Sequence, residues 1–502
     1  MQSFDSIVIG AGNGGLVGAL NLAKSDKKVL LLEKHNIPGG AGTTFVRGRF
    51  EFDVGLHTLW GIGTDEKKGP LRKIFEELDV YDKIKFIRQD EIFSINVLGQ
   101  PEIAVPFYKD KFLAMLTAIA PEEKDNILKF QALNEAMAEE LYRLYDELGG
   151  EINSTKFPLL FDIGTRPAIE VMDKYIKHPL VRSIYSMYLG TLSLPPDILP
   201  YLMFSMANEV DTGHHVNSGA QAISNTLLEE FESCGGTVVY GAEVTKIAVE
   251  DGHATGVELA DGRSFTARSV LSNASKMRTY IDLIDDDKVP EETFSDLKVT
   301  RVGPTVFGLY LGLNCSAQEA GLEHGITFAL DPTSEQDPYV GSHYDAEGVS
   351  GGFIGCHNID NPDYSEEGTC ILDLLVGQGM DSWLDMPPET YHENKFKLAD
   401  KALDLLDRFY PNVREHIEEM EISTPITHMR YLGTPSGQIF GEGVNIKDLI
   451  TNKLNAKSPI EGLYFCGASI FYGGFHTTYL SGHAVSSLML RELGMEGRND
   501  GI

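Results

Sequence analysis

Paired cysteines are the first thing this 502-residue chain lacks. Its five cysteines, Cys234, Cys315, Cys356, Cys370 and Cys466, are widely spread and form no CxxC pair. That excludes a redox-active dithiol that would pass electrons on. An odd count with no secretory leader fits a reducing cytoplasm. Basic charge is also short, with 42 Lys and Arg against 74 Asp and Glu and a formal net charge of −32. A field of that sign repels nucleic-acid phosphates and anionic lipid headgroups, so no nucleic-acid partner is expected. Nowhere do 18 apolar residues run together free of charge, Gly and Pro, so no membrane span is expected. HExxH, zinc-type Cys/His spacing, a Walker loop and G-x-S-x-G are missing as well. Metal catalysis, phosphoryl transfer and serine hydrolysis therefore lack support, and no metal site is expected.

What the chain does have is a set of glycines placed between two strands near its start. Residues 4–9 (FDSIVI) read as a short buried strand closed by Gly10. Gly10-Ala11-Gly12-Asn13-Gly14-Gly15 then satisfies G-x-G-x-x-G, and a helical pattern follows with Leu16, Leu20 and Ala23 in phase. A second strand, Val29-Leu30-Leu31-Leu32, ends at Glu33-Lys34. Gly10 permits the tight turn, Gly12 lets backbone approach a pyrophosphate, and Gly15 lets the helix pack close to the strand. The helix N-terminus offers N–H groups to the phosphates, and Glu33, about twenty residues on, accepts from ribose hydroxyls. Strand, glycines, helix, strand and terminal acid all fall in register, which a chance glycine-rich turn would not give. The motif by itself does not separate FAD from NAD.

Further along, the 3.6-residue pattern predicts a helix over 121–148, with Pro121 at its start and Gly149-Gly150 at its end. Another is predicted over 219–233, followed by short strands at 237–240, 243–249, 254–260, 264–267 and 269–272. Asp251-Gly252 and Asp261-Gly262 supply hairpin turns between them. The fold class expected is α/β: a Rossmann-type domain carrying a β-meander, plus an α+β substrate or cap domain. The nucleotide domain would be discontinuous (1–80, 206–288 and 416–502), with 81–205 and 289–415 forming the cap. An apolar stretch at 157–206 would line a substrate cavity or serve as helical core.

Several segments resemble FAD-dependent enzymes. Pro38-Gly39-Gly40-Ala41-Gly42-Thr43-Thr44 looks like their paired-glycine loop along pyrophosphate and flavin. The segment from Gly462 to Ser469, followed by a helical pattern over 481–493, resembles their closing motif. The resemblance implies FAD bound by Gly40, Gly42, Thr43, Thr44, Gly467, Ala468 and Ser469, with Val244 beside the adenine, in a glutathione reductase-like arrangement. IVIGAGNGGLVGALNLA, LLEKHNIPGGAGTTF, FDVGLHTLWG, the block from SGAQAISNTL to VLSNA, and GLYFCGASIFYGG together resemble the phytoene desaturase, carotenoid isomerase and retinol saturase family. Asp53-x-Gly55-x-His57 followed by Gly61 is more similar to the retinol saturase side. Many relatives carry aspartate where this chain has Ala468, so Ser469 or backbone N–H groups would take over that contact.

The resemblance implies an FAD-dependent oxidoreductase or isomerase acting on carbon–carbon double bonds of an apolar polyene or isoprenoid lipid. Such chemistry moves a hydride or electron at the flavin and manages a proton or charge beside it. Histidines near the cofactor motifs, His57, His476 and His428, are the catalytic candidates. His214-His215 cannot chelate together and reads as loop. With one dinucleotide fingerprint, electrons come from or leave to an external carrier, or cycle with no net redox change. Two other readings stand: a flavin amine oxidase, and a non-catalytic lipid-binding escort of the same fold. Delivery of substrate from a bilayer would entail weak, apolar, peripheral membrane contact.

Overall fold

The computed structural model describes residues 2–187, 199–209, 213–298, 300, 303–331, 349–443, 455–470 and 473–494. Two large sheets organise it. The first starts from β1 (Gln2–Ile9), whose last four residues are all buried, and β2 (Val29–Leu32), buried throughout. They pair in parallel, Ser6 on Val29 through Ile9 on Leu32, because the helix Asn13–Lys24 returns the chain over one face. That helix buries ten of its twelve residues, which explains a sequence apolar nearly all round. The helix Phe475–Glu492 crosses it closely: a Cβ on Gly482 would lie 2.3 Å from the Gly14 carbonyl oxygen.

Strand β9 (Thr237–Val239) extends the sheet beyond β2, and β12 (Ser264–Ser272) pairs with the other edge of β1. β10 (Val244–Glu250) and β11 (His253–Leu259) run antiparallel as the meander, and β18 (Leu463–Phe465) joins β12 in parallel. The order is β10-β11-β12-β1-β2-β9. β12 is one nine-residue strand where the sequence suggested two, because β1 pairs along one edge from Phe265 to Ser272 while the other edge passes from β11 at its start to β18 at its end.

Two ribbons stand outside these sheets: β3 (Thr44–Arg47) with β4 (Phe50–Asp53), and β5 (Phe86–Arg88) with β8 (His214–Val216). The second sheet contains β6 (Glu91–Val97), β7 (Ile103–Pro106), β13 (Thr305–Leu313), β14 (Ile326–Leu330), β15 (Gly351–Cys356), β16 (Cys370–Gln378) and β17 (Ile417–Ser423). Its order is β17-β13-β16-β15-β14-β6-β7, antiparallel except where β14 meets β6. β17 corrects one expected boundary, since a segment assigned with 416–502 to the nucleotide domain hydrogen-bonds into this other sheet. Ala402, Leu403 and Leu406 of the helix Tyr391–Phe409 pack with Leu309 and Leu311 of β13 in a core separate from that of the Rossmann half.

The helix expected over 121–148 runs Lys124–Asp146, its first turn being 3-10 at Pro121–Glu123. It buries Ile127, Phe130 and Met137, in one cluster with Tyr201, Leu202 and Phe204 of the helix Tyr201–Ala207. Within the apolar stretch 157–206, residues 188–198 lie outside the described residues.

Candidate active site

The glycine turn and the paired-glycine loop meet directly: Gly39 N–H donates to the Ala11 carbonyl at 2.7 Å, and Gly42 N–H donates to that of Gly39 at 2.8 Å. Glu33, buried at the end of β2, accepts from Ala11 N–H at 2.7 Å and His35 N–H at 2.8 Å. Those two bonds aim the carboxylate and leave lone pairs for further donors. Lys34 beside it is held below the usual ammonium range by burial and then by the neighbouring Arg278 guanidinium. Asn273, immediately after β12, closes the cradle from below: a Cβ on Gly12 would meet its Nδ2 at 2.7 Å. The Asn13 side-chain oxygen is buried without a partner. A narrow glycine-walled slot with an unpaired acceptor, a helix N-terminus and an aimed carboxylate fits a dinucleotide.

One cavity of about 510 Å³ begins at this cradle. Of the residues expected to hold the cofactor, Gly10, Gly12, Asn13, Gly14, Glu33, Lys34, Gly40, Val244, Gly467, Ala468 and Ser469 line it. Ala11, Gly15, Gly42, Thr43 and Thr44 stand behind the lining. Gly15 is there for packing, since a Cβ on it would lie 2.0 Å from the Gly10 carbonyl oxygen. The Thr43 hydroxyl donates to Gln221 at 2.6 Å and that of Thr44 to Glu51 at 2.5 Å, so both are turned to neighbouring elements. Ser469 donates its hydroxyl to the Ala274 carbonyl at 3.1 Å, which commits its proton to backbone. Asn273, Ser275 and Arg278 also line the cavity and were not singled out from the sequence.

From the cradle the cavity continues beneath the second sheet. Its wall there is Met203, Met206, Phe328, Leu330, Phe353 and Leu375. The three candidate histidines, far apart in sequence, all face it: His57, His428 and His476. His476 opens the helix Phe475–Glu492. Burial pushes its imidazole down to about 3, and Nε2 has no partner. Gly61, at φ +84°, lets backbone approach it, for a Cβ there would lie 2.5 Å from His476 Nε2. Behind it stands Tyr142, ring centroids 5.7 Å apart, whose hydroxyl donates to Glu209. Burial pushes that carboxyl up to about 7. His428, on the helix Pro425–Leu432 started by a Thr424/Thr427 capping box, is likewise driven down to about 4 by burial, with Nε2 unpartnered. Both imidazoles are therefore neutral at physiological pH, able to donate or accept a hydrogen bond but not to act as imidazolium acids.

His57 has different surroundings. Asp53 fixes the turn before it, accepting from Gly55 N–H (2.9 Å) and Leu56 N–H (2.7 Å). Its other oxygen takes Ala220 N–H (2.6 Å), in the first turn of the helix Gly219–Ser233. Burial raises the Asp53 carboxyl despite these donors. His57 Nε2 lies 2.9 Å from Oδ2 of Asp373, a fully buried carboxylate in the middle of β16. His357 Nε2 lies 3.3 Å from the same oxygen. Burial alone would raise Asp373, but the two imidazoles outweigh it and hold the carboxyl below the usual range. His215 packs against His357 with ring centroids 5.3 Å apart, and burial followed by repulsion from the other two rings pushes it down to about 3. His214-His215 thus belongs to strand β8, not to a loop, and backs this cluster. Asp373 had a legible signal, a lone charge inside the apolar run Ile371-Leu372-Asp373-Leu374-Leu375.

Rossmann cradle, antiparallel meander and an overlying mixed sheet make this the fold of the flavin-dependent oxidoreductases. A model described as an NAD(P)-binding Rossmann-like domain matches residues 8–78. Over nearly its whole length the chain is homologous to prolycopene isomerases and all-trans-retinol 13,14-reductases. It is 27% identical to the chloroplastic prolycopene isomerase of Arabidopsis thaliana, covering 99% of this chain and 84% of that protein. It is 23% identical to the all-trans-retinol 13,14-reductase of Danio rerio, covering 94% and 84%. Among solved structures, cyclohexylamine oxidase from Brevibacterium oxydans superposes with a TM-score of 0.62 at 16% identity, covering 98% of this chain and 99% of that one. That likeness is one of fold.

Proposed function

We propose that the chain holds FAD in the glycine cradle and acts on carbon–carbon double bonds of an apolar polyene or isoprenoid lipid, by desaturation, saturation or cis–trans isomerisation. The observation that carries this reading is the continuity of one cavity, from the Glu33 cradle to a wall of methionine, phenylalanine and leucine. Similarity to enzymes named for prolycopene and for retinol supports it. Bound FAD would supply hydride or electron exchange with a carbon of the substrate.

The protein's own share is binding, exclusion of water and placement of charge. The turn at residues 10–15 takes the pyrophosphate on its N–H groups, Glu33 takes ribose hydroxyls, and Val244 lies toward the adenine. The apolar wall binds a hydrocarbon chain at about 0.8 kcal/mol per buried CH₂, so ten carbons contribute about 8 kcal/mol without any ion pair. His428 and His476, both neutral, have Nε2 atoms without partners that are available to whatever occupies the cavity. His57, backed by a carboxylate, is the group placed to manage charge beside the reacting bond. A single dinucleotide cradle calls for an external electron donor or acceptor, and delivery of a lipid calls for weak apolar contact with a membrane surface. No helix among the described residues is long and apolar enough to cross one.

Oxidised and reduced enzyme incubated with carotenoid, retinoid and unsaturated fatty-acid panels, with products resolved by mass, tests the proposal. Gain of two hydrogens identifies a saturase, loss of two a desaturase, and unchanged mass with a new isomer an isomerase. No product from any panel, with brisk peroxide release from amines, would replace this reading by that of an amine oxidase.

A further inference from the structure

At the cavity wall His57 meets buried polar groups, His357 and Asp373, that the proposed flavin chemistry does not itself call on. His57 follows the turn fixed by Asp53, His357 begins the helical turn His357–Asp360 at the end of β15, and Asp373 is central in β16. Their side chains are 11%, 3% and 1% exposed. One nitrogen or oxygen from each lies within 4.8 Å of the other two. Only the 2.9 Å contact from His57 to Asp373 Oδ2 is a hydrogen bond. At 3.3 Å, His357 Nε2 is an ion-pair neighbour of that oxygen, not aligned on it, and has no hydrogen-bond partner; nor has Asp373 Oδ1, nor His215 Nε2.

We infer that His57, His357 and Asp373 bind one divalent transition-metal ion, with zinc the ion best suited to two imidazoles and a carboxylate. Four-coordinate ligands about 2.0–2.2 Å from zinc stand about 3.3–3.6 Å from one another. The 2.9 and 3.3 Å separations to Asp373 Oδ2 need a small spreading to reach that, and the imidazole planes, 12° apart with centroids at 5.4 Å, must turn to aim both nitrogens at one ion. Charge points the same way. The Asp373 side chain is 1% exposed, and a carboxylate so buried needs positive or hydrogen-bonding neighbours. One proton would need one imidazole, whereas two converge here, and an ion would also satisfy the unpartnered His357 nitrogen.

The ligands are held stiffly, as a metal site requires. β16 is paired on both sides, with β13 and β15. Gly355 leaves room for His57, since a Cβ there would lie 2.6 Å from its Cδ2. Tyr364 stacks on His357 at 4.7 Å between centroids and fixes its plane. Positions 57, 357 and 373 have no local spacing, so sequence motifs did not announce them. His57 alone of the three lines the cofactor cavity, so the ion would stand just behind its wall.

The test uses untagged full-length flavoprotein grown with ZnCl₂, dialysed, and assayed for metal by mass spectrometry and for flavin by absorbance. About one zinc per chain is expected in the wild type, and below about a tenth of that in His357→Gln and Asp373→Asn, with flavin per chain unchanged. Chelator-treated wild type should unfold at a higher temperature when ZnCl₂ is restored, and neither variant should respond. Two results would overturn the inference. One is wild type without metal whose midpoint ignores Zn²⁺, Fe²⁺, Co²⁺, Ni²⁺ and Mn²⁺. The other is zinc retained equally by the variants. Should both variants misfold, the chelation and refilling of wild type decides alone.

Discussion

Acid should destabilise this protein through two histidines of the cavity wall, and the loss can be worked out. His476 and His428 are held at about 3 and about 4 against an ordinary value of 6.5, both by burial. In the pH range between those values and 6.5 the unfolded chain takes up protons that the native chain refuses. Their contribution is thus fully present above about pH 6.5 and is lost as pH falls toward the native values. At pH 5 the loss is governed by the unfolded imidazole, since both native values lie at or below 4. It comes to about 2 kcal/mol for each, and so about 4 kcal/mol for the pair, relative to pH 7.5. His476→Gln and His428→Gln, which cannot titrate, should each recover about 2 kcal/mol of that sensitivity. Urea unfolding at pH 7.5 and 5.0 gives the figure as a wild-type-minus-variant difference. Trp60, packed on the larger core, and Trp383, in the second, serve as intrinsic probes of the two halves. Variants with the same pH slope as wild type would mean that these imidazoles reach water in the native protein and that their neutrality is misassigned.

Replacing Gly12 by Val should abolish flavin binding, because even a Cβ meets Asn273 at 2.7 Å and fills the slot; a yellow variant would refute that. His57→Ala should lower turnover at least about tenfold with flavin content intact, read by steady-state kinetics beside the absorption spectrum. Gly61→Ala should disturb the same wall from the other side, since the new Cβ would fall 2.5 Å from His476 Nε2 at φ +84°; it should cost about 1–3 kcal/mol by thermal unfolding. With a single dinucleotide cradle, stopped-flow mixing with NADPH should leave the flavin mostly oxidised, and stoichiometric bleaching would reveal a nicotinamide site.

The glycine cradle was legible as a local structure because its physics is local. A tight turn, a helix start and a carboxylate one strand away occupy only residues 10–34, and the helix Gly219–Ser233 fell where its periodicity placed it. The charge cluster was not legible, because Asp373, His357 and His215 meet through sheet register and ribbon pairing that no local window contains. β17 was misplaced for the same reason. Its first five residues alternate intermediate and exposed and only its last two are buried, so its sequence does not say which sheet it edges. His214-His215 misled in the opposite sense, since two adjacent polar residues suggest a loop, yet both are buried in β8.

The neighbours of β1 come from residues 29–32 and 264–272, and β12 in turn waits for residues 463–465. During synthesis the first strand and its glycine turn leave the ribosome long before the segments that close them. Val8 and Leu31 can pair early, but the Asn273 side of the slot follows more than two hundred residues later, and the helix that crosses at Gly482 some two hundred later still. Loop-closure entropy must be met before those distant pairings contribute anything, which makes this half the slow one to assemble. The nascent chain therefore spends most of its synthesis with an apolar parallel strand edge exposed, when chaperone capture matters most. A cofactor that binds only the closed cradle acts last, drawing the three segments together by mass action, so flavin supply should govern how much of the protein survives in the cell.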